Sequence, residues 1–161
     1  MKRVLALALL LTAVSLSAQE LRGRVDQVYD GDTLYVRYAG RRGGDVVRVE
    51  GIDAPERHQA YGARSRESLR ELVKYKQVTL IVRGHDQYGR LIALVLLDDL
   101  DVGLEQIRRG MAWHYDFFAE EQSPSARESY RDAEAEAARE ERGLWTDENP
   151  TPPWAYRRAR R

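Results

Sequence analysis

Three short polar clusters contain the residue types that catalysis needs. Residues 30–33 read Asp-Gly-Asp-Thr, residues 48–56 hold two carboxylates three positions apart around a proline, and residues 85–90 end in an arginine. Taken singly, the first is typical of a hairpin turn and the third of a loop. Taken together, they offer carboxylate oxygens for a hard cation, arginines for phosphate oxygens and a further carboxylate for proton transfer. Such a set of groups indicates a phosphodiesterase.

The spacing within the second cluster restricts how its charges can meet. Arg48 and Asp53 are five positions apart, so a strictly alternating strand would place them on opposite faces. Both can line one site only if the chain bulges or turns near Gly51, where glycine permits an unusual backbone conformation. We therefore predict that the strand is interrupted at Gly51.

Five β-strands are expected to position these clusters. Residues 25–36 alternate around Asp30-Gly31, and an Asp-Gly pair between such runs predicts a hairpin because glycine accepts a positive φ. Short runs rich in Val, Ile and Leu, each bounded by Gly, Asp or Pro, predict three more strands at residues 46–52, 77–82 and 91–97. The clusters therefore fall in turns and at strand ends.

Two helices are predicted between and after the later strands. Residues 63–74 carry apolar side chains at helical spacing, with charged residues on the other face. Residues 102–109 follow Asp101, which is placed as an N-cap, and precede Gly110, which suits a left-handed C-terminal position.

A third helix has the clearest end signals. Ser123 is placed as its cap, Pro124 as its first residue and Gly143 as its stop. One face carries small and aromatic side chains, which implies close packing: Ala126, Tyr130, Ala133 and Ala137. Residues 147–161 are rich in proline and end in arginines, and we expect a mobile basic tail there.

The order of these elements indicates the fold class. Five strands with a helix between the third and the fourth, followed by two more helices, predict an α+β fold: a five-stranded OB-type β-barrel with three helices. The chain has 161 residues, of which 43% are hydrophobic and 32% charged, and this suits one domain around one core.

The first 18 residues have the pattern of a secretory signal peptide. Lys2 and Arg3 precede an apolar run that ends in small residues, and this run is shorter than the ~20 residues that a membrane-spanning helix needs. Their removal would leave 24 basic and 26 acidic residues, so net charge does not indicate a nucleic-acid binder. The chain has no cysteine, which excludes disulfides and thiolate metal sites.

The joint order and spacing of the clusters resembles the staphylococcal nuclease (thermonuclease) family over about residues 21–146. The matching motifs are residues 30–33, Arg48 with residues 52–56, residues 88–90, Gly110-Met111-Ala112 and Gly143-Leu144-Trp145. The resemblance implies a nuclease domain at residues 19–146, between the signal peptide of residues 1–18 and the tail of residues 147–161.

The resemblance also implies a calcium site. Asp32 and Asp53 would be its side-chain ligands, and the carbonyl oxygen of Ala54 would be a third protein ligand. Since calcium takes about six to eight oxygens, positions would remain for a substrate phosphate and a water molecule. The family archetype has threonine where Ala54 stands, but this position is asked only for a backbone oxygen.

Catalytic and substrate-binding roles are implied in the same way. Glu56 would be the general base that deprotonates water for attack on phosphorus, while Arg48 and Arg90 would neutralise charge in the transition state. Tyr88 would lie at the nucleotide-binding edge, and Tyr115 would contact phosphate. The expected protein is an exported calcium-dependent nuclease of DNA and RNA that leaves 3′-phosphates, secreted or periplasmic, monomeric and without stable membrane association.

Other interpretations lead to different expectations. A nuclease-like barrel can lose its chemistry and keep a surface that binds nucleic acid or protein, and a charged cluster can be a buried salt-bridge network that does not respond to metal. The three histidines, His58, His85 and His114, lack metal-ligand spacing and are interpreted as structural or surface residues. Trp113, Phe117 and Phe118 could stack on bases or close the barrel, and the second role is favoured.

Overall fold

The hairpin that carries the first polar cluster is formed as predicted. The computed structural model describes residues 19–115 and 122–160, and in it strand β1 (Gln19–Val28) pairs antiparallel with β2 (Thr33–Arg37). The predicted reason for the glycine was wrong, because Gly31 is not among the glycines with positive φ. A Cβ atom at Gly31 would instead lie 1.8 Å from the Ser65 hydroxyl oxygen, so glycine is required there by close packing.

A closed barrel of five strands confirms the predicted OB-type α+β fold. The sheet order is β3 (Gly44–Val49), β2, β1, β5 (Gln77–His85) and β6 (Leu91–Leu97). Parallel pairing of β3 with β6 closes the barrel, with Arg48 opposite Ile92. Inward-facing side chains such as Val25, Leu34, Val47, Leu80 and Val95 are fully buried and form the core.

The predicted interruption at Gly51 is present. Strand β3 ends at Val49, and a separate two-residue strand, β4 (Ile52–Asp53), pairs antiparallel with β8 (Trp113–His114). Gly51 between them has a φ of 73°, and a Cβ atom there would lie 2.2 Å from the Gln122 side-chain nitrogen. The remaining short strand, β7 (Leu100–Asp101), extends the sheet beside β6. The turn re-aims the chain so that residues before and after it can face one site.

The first two helices agree with the sequence prediction. Helix α1 (Gly62–Val73) packs its apolar side, which includes Leu69 and Leu72, against the core. Helix α2 (Val102–Arg108) is capped by Asp101, whose carboxylate accepts a hydrogen bond from the Leu104 amide at 3.1 Å. Gly110, just beyond this helix, has the expected positive φ of 66°.

The third helix ends earlier than predicted. Helix α3 (Pro124–Arg139) has Ser123 as its cap, but it stops at Arg139, and a 3₁₀ helix (Gly143–Thr146) follows. Gly143 lies beyond the end of α3 and has a φ of 55°, and a Cβ atom there would lie 2.2 Å from the Gly110 carbonyl oxygen. A left-handed backbone and a close chain crossing therefore both favour glycine at this position.

A fourth helix corrects the prediction of a mobile tail. Helix α4 (Pro153–Arg158) docks on the domain: Trp154 stacks on Tyr115 with ring centroids 5.6 Å apart, and the Tyr156 hydroxyl donates to the His58 carbonyl at 3.1 Å. Aromatic side chains therefore hold the proline-rich segment and α4 against the domain. No helix within the described ranges is both long and apolar enough to cross a membrane. The predictions for residues 1–18, Phe117, Phe118 and Arg161 lie outside those ranges.

Candidate active site

One cavity of about 730 Å³ brings the predicted site residues together. The residues from all three polar clusters and from the later chain that line it are Asp32, Arg48, Asp53, Ala54, Glu56, Tyr88, Arg90 and Tyr115. They come from the β1–β2 turn, both sides of the Gly51 turn, the β5–β6 turn and the segment after β8. The cavity is also lined by three charged residues to which the sequence analysis gave no individual role: Asp30, Asp86 and Arg157.

Asp32 is buried and held by two hydrogen bonds. Its Oδ2 accepts from the Ala54 amide at 2.7 Å, and its Oδ1 accepts from the Thr33 hydroxyl at 2.9 Å. The first bond joins the β1–β2 turn to the chain that follows β4. Ala54, for which the sequence resemblance implied a carbonyl ligand, is thus seen to position Asp32 through its amide. Both bonds hold the Asp32 carboxylate in one orientation.

Arg48 lies between the two buried aspartates. Its Nη2 atom is 3.3 Å from Asp53 Oδ1 and 3.3 Å from Asp32 Oδ2, while its Nη1 atom donates to the Val49 carbonyl at 2.9 Å. Burial raises the pKa of Asp53, the hydrogen bonds from Arg157 oppose that rise, and the charge of Asp32 adds to it. Arg48 therefore offsets part of the repulsion between two carboxylates that are shielded from water.

Asp30 is a third carboxylate beside this pair. Its Oδ1 accepts from the Asp32 amide at 3.1 Å. Burial, reinforced by the charge of Asp32, raises the pKa of Asp30 to about 7. The acidic motif at residues 30–33 contains both aspartates, but only the fold shows that Asp30 also lines the cavity. The negative charge concentrated here favours a bound cation.

Arg90 and Tyr88 form the outer edge of the cavity. Arg90 donates to Asp86 Oδ2 through its Nε atom at 2.6 Å, and its Nη1 atom lies 3.4 Å from the Thr33 hydroxyl oxygen. Tyr88 is 74% exposed, and the Arg90 guanidinium lies over its ring, 5.6 Å from the centroid. Asp86 orients the arginine while Tyr88 stays open to solvent, an arrangement that leaves both available to a ligand.

Glu56 lies on a loop fixed at its backbone and open at its side chain. The Glu56 amide donates to the Gln59 side-chain oxygen at 3.0 Å, and the Gln59 amide donates back to the Glu56 carbonyl at 2.9 Å. The Glu56 side chain is 40% exposed and accepts from Arg157 at 2.8 Å. Its carboxylate is thus the most accessible acid among those paired with arginine in the cavity.

Arg157 enters the cavity from helix α4. Its Nη2 atom donates to Asp53 Oδ2 at 2.8 Å, and its Nη1 atom donates to Asp53 Oδ1 at 3.1 Å and to Glu56 at 2.8 Å. These ion pairs raise the pKa of Arg157 further above its ordinary value. Sequence reasoning missed this residue because no local pattern distinguishes it from the other arginines of the tail.

Tyr115 lines the cavity, and the three histidines lie at separate places in the structure. The Tyr115 amide donates to the Gly51 carbonyl at 2.9 Å, and its ring faces both the cavity and Trp154. Trp113 is buried, in agreement with the expected structural role. His85 lines the cavity, His114 is buried, and His58 is exposed, so the three are not gathered at one place.

A buried polar network supports the β1–β2 turn from below. The Gln106 side chain donates to the Gly31 carbonyl at 3.0 Å and to the Ser65 carbonyl at 3.2 Å, and it accepts from the Ser68 hydroxyl at 2.7 Å. Gln106 is fully buried. Helices α1 and α2 thereby position the turn that carries Asp30 and Asp32. The helical spacing of Gln106 gave no sign of this role.

The donor atoms of the cavity fit a hard divalent cation. Asp32 and Asp53 supply carboxylate oxygens, the ligands that calcium prefers, and the chain has no thiolate that would favour a softer metal. Within residues 19–115 and 122–160, no three His, Asp or Glu side chains are arranged to hold a metal ion. A cation here would therefore need backbone, phosphate or water oxygens in addition to the two aspartates.

The barrel and the cavity together define a nuclease-type protein, and sequence comparison agrees. A model of the family described as staphylococcal nuclease homologues matches residues 46–147. The chain belongs to the staphylococcal nuclease family.

Full-length relatives extend the match beyond that range. An uncharacterized endonuclease of Haemophilus influenzae is 36% identical over 160 residues, covering 98% of this chain and 86% of the relative. A micrococcal nuclease of Shigella flexneri is 32% identical and covers 98% of this chain and 92% of the relative. Protein ParB of Escherichia coli is 34% identical, with 98% and 91% covered.

Proposed function

We propose that this protein is a calcium-dependent nuclease that hydrolyses phosphodiester bonds of DNA and RNA and leaves 3′-phosphates. The observation that carries the proposal is the convergence, in one cavity, of two buried aspartates, a solvent-accessible glutamate and two oriented arginines. The similarity to an endonuclease and to a micrococcal nuclease supports the same reaction class. A sugar-non-specific site needs to contact only the phosphate.

The arginines account for binding of the scissile phosphate. Arg48 is almost buried and Arg90 lies at the edge, so a phosphate entering the cavity could meet a guanidinium on two sides. Planar guanidinium groups pair with two phosphate oxygens at once and remain charged at any relevant pH. They would neutralise the additional negative charge that develops on the phosphate oxygens during attack.

Glu56 is the proposed general base. Its carboxylate would accept a proton from water, and the resulting hydroxide would attack phosphorus as the bond to the 5′-oxygen breaks. The leaving 5′-oxygen would take up a proton from solvent water. The fixed backbone of the loop, clamped by Gln59, holds this carboxylate beside the cavity while its side chain stays accessible to water. General-base catalysis of this kind contributes about 10² to 10⁴-fold to the rate.

Asp32, Asp53 and the Ala54 carbonyl would hold calcium. The bound ion would supply positive charge to the phosphate and lower the pKa of water near Glu56. The hydrogen bonds from Thr33 and the Ala54 amide orient Asp32 for this purpose, and Arg48 keeps the two carboxylates close to each other.

A nuclease assay with and without a chelator tests the proposal. We expect degradation of duplex DNA, single-stranded DNA and RNA in the presence of calcium, and loss of activity with excess chelator. Magnesium should support less activity, because it demands near-octahedral geometry and releases water reluctantly. Full activity in chelator would contradict the metal assignment, while nucleic-acid binding without any cleavage would favour the catalytically silent module.

We also propose that the protein is exported. The signal-peptide pattern predicts a mature chain that starts near Ala18 or Gln19. Mass spectrometry of the protein recovered from the producing cells tests this, and a mature product that retains Met1 would contradict it.

A further inference from the structure

Arg157 occupies the carboxylate that the proposed calcium site requires. Both oxygens of Asp53 accept hydrogen bonds from its guanidinium, at 2.8 and 3.1 Å, and the same group also reaches Glu56 at 2.8 Å. The pairing links residues 104 positions apart in the sequence. It therefore depends on the docking of α4, not on local chain geometry.

A guanidinium and a calcium ion cannot both bind the Asp53 carboxylate as strongly as either would alone. Asp53 is buried, so charges placed beside it are screened less than they would be in water. A divalent ion bound to Asp53 would repel the Arg157 guanidinium and would compete for the same oxygen lone pairs. Arg48 also lies near Asp53, but it contacts only one oxygen of the Asp53 carboxylate, at the longer distance of 3.3 Å.

We propose that Arg157 sets the calcium affinity of the site, because it and the metal are alternative occupants of the Asp53 carboxylate. The inference rests on the proposed function, in which Asp53 is a calcium ligand. When calcium binds, the Arg157 side chain leaves Asp53, and when calcium is absent it returns. A helical residue outside the strand and turn motifs thus regulates the site.

The side chain can leave without undocking the helix. Arg157 is 40% exposed, so its guanidinium has a path to solvent. Helix α4 is held independently by the Tyr156 bond to His58 and by the stacking of Trp154 on Tyr115, and the Gln59 side chain donates to the Thr151 carbonyl at 2.6 Å just before the helix. The proposed exchange therefore requires movement of the Arg157 side chain alone.

Calorimetric titration of calcium into Arg157→Gln and wild-type protein tests the proposal. The variant should bind calcium more tightly, by roughly 10- to 150-fold, because calcium no longer has to displace hydrogen bonds to a charged group. Arg158→Gln is the matched control, because Arg158 is on the same helix, is exposed and does not line the cavity. Its calcium affinity should equal that of wild type.

A second variant keeps the test decisive if Arg157→Gln folds poorly. Arg157→Lys retains the charge but cannot pair with two carboxylate oxygens at once, so its calcium affinity should lie between those of the wild type and Arg157→Gln. Thermal unfolding in chelator shows whether each variant is folded before the titration is interpreted.

The outcomes separate this proposal from the one on which it rests. Calcium-dependent cleavage by the wild type, with unchanged calcium affinity in both Arg157 variants, would overturn only the exchange. Lower turnover at saturating calcium with unchanged affinity would overturn it too, and would make Arg157 a phosphate-binding residue instead. Absence of calcium binding by wild type and variants alike would overturn the metal assignment of the proposed function.

Discussion

The cavity has a buried half on the barrel and an exposed half at its rim. The side chains of Asp32, Arg48 and Asp53 are at most 11% exposed, and each contacts groups from a different part of the chain. The side chains of Glu56 and Arg157 are both 40% exposed. The two halves meet where Arg157 touches Asp53.

This difference separates fixed groups from movable ones. A buried charge must be paired and hydrogen-bonded, so the barrel residues are restrained by the same contacts that make their burial tolerable. A pair of two exposed groups, such as Arg157 with Glu56, can exchange for water or substrate at little cost, because exposed ion pairs contribute little to stability. The barrel half therefore provides a fixed frame for binding, and the rim half provides the groups that take part in chemistry and exchange.

The largest expected effect compares a rim base with a barrel ligand. Glu56→Gln should lower turnover by about 10² to 10⁴-fold, because it removes the basic oxygen while it keeps the size of the side chain. Asp53→Asn should instead weaken calcium binding, so part of its activity should return at higher calcium. Rate measurements over a calcium series distinguish the two variants. Rescue of Glu56→Gln by calcium would show that Glu56 is a metal or structural residue.

The two arginines should differ in what they do besides catalysis. Arg48→Lys should lower turnover on the order of 10² to 10³-fold, and it should also destabilise the fold by roughly 1.5 to 3 kcal/mol through lost hydrogen bonds to charged groups. Arg90→Lys should lower turnover with a smaller loss of stability, because Arg90 is more exposed. Turnover together with denaturant unfolding in chelator checks this. Equal losses of stability in Arg48→Lys and Arg90→Lys would contradict the distinction between a fixed buried half and an exposed rim.

Two glutamines provide a comparison of stability alone. Gln106→Leu should lower the free energy of unfolding by about 1 to 3 kcal/mol, since it leaves buried partners such as the Ser68 hydroxyl and the Gly31 carbonyl unsatisfied. Gln59→Leu, at the rim, should cost about 0.5 to 1.5 kcal/mol, because water can replace its contacts. Chemical denaturation of both variants measures the difference. A larger loss for Gln59→Leu would reverse the assignment of fixed and movable halves.

The smallest expected effect concerns the contribution that residues outside the cavity make to nucleic-acid affinity. Arg57 and Arg160 line a neighbouring groove of about 400 Å³ that shares Glu56 and Arg157 with the cavity. If each contacts one phosphate, replacing both by Gln should reduce the slope of log affinity against log salt by about 2. Binding to duplex DNA in a Glu56→Gln background avoids cleavage during the measurement. Arg22→Gln, exposed on β1 and outside both cavities, is the control, and an unchanged slope in the double variant would exclude the groove from the binding path.

The sequence predicted the parts of the site that depend on neighbours in the chain. The hairpin, the Asp101 cap and the turn at Gly51 follow from a few adjacent residues, and the turn at Gly51 is what allows Arg48 and Asp53 to meet. The barrel could be predicted because strand patterns and their order leave few ways to close a sheet of five strands. The family resemblance identified eight candidate residues, and the structure shows that all eight line one cavity.

Tertiary structure alone decided which distant groups share that cavity. The tail was expected to be mobile because prolines and arginines carry no local signal for docking, yet aromatic stacking on Tyr115 brings Arg157 onto Asp53. Gly31 was interpreted as a positive-φ turn residue and Gly143 as a helix stop, but both also lie against other segments that leave no room for a Cβ atom. Contacts between remote segments depend on the shapes of packed surfaces, and a local pattern of residue types does not contain those shapes.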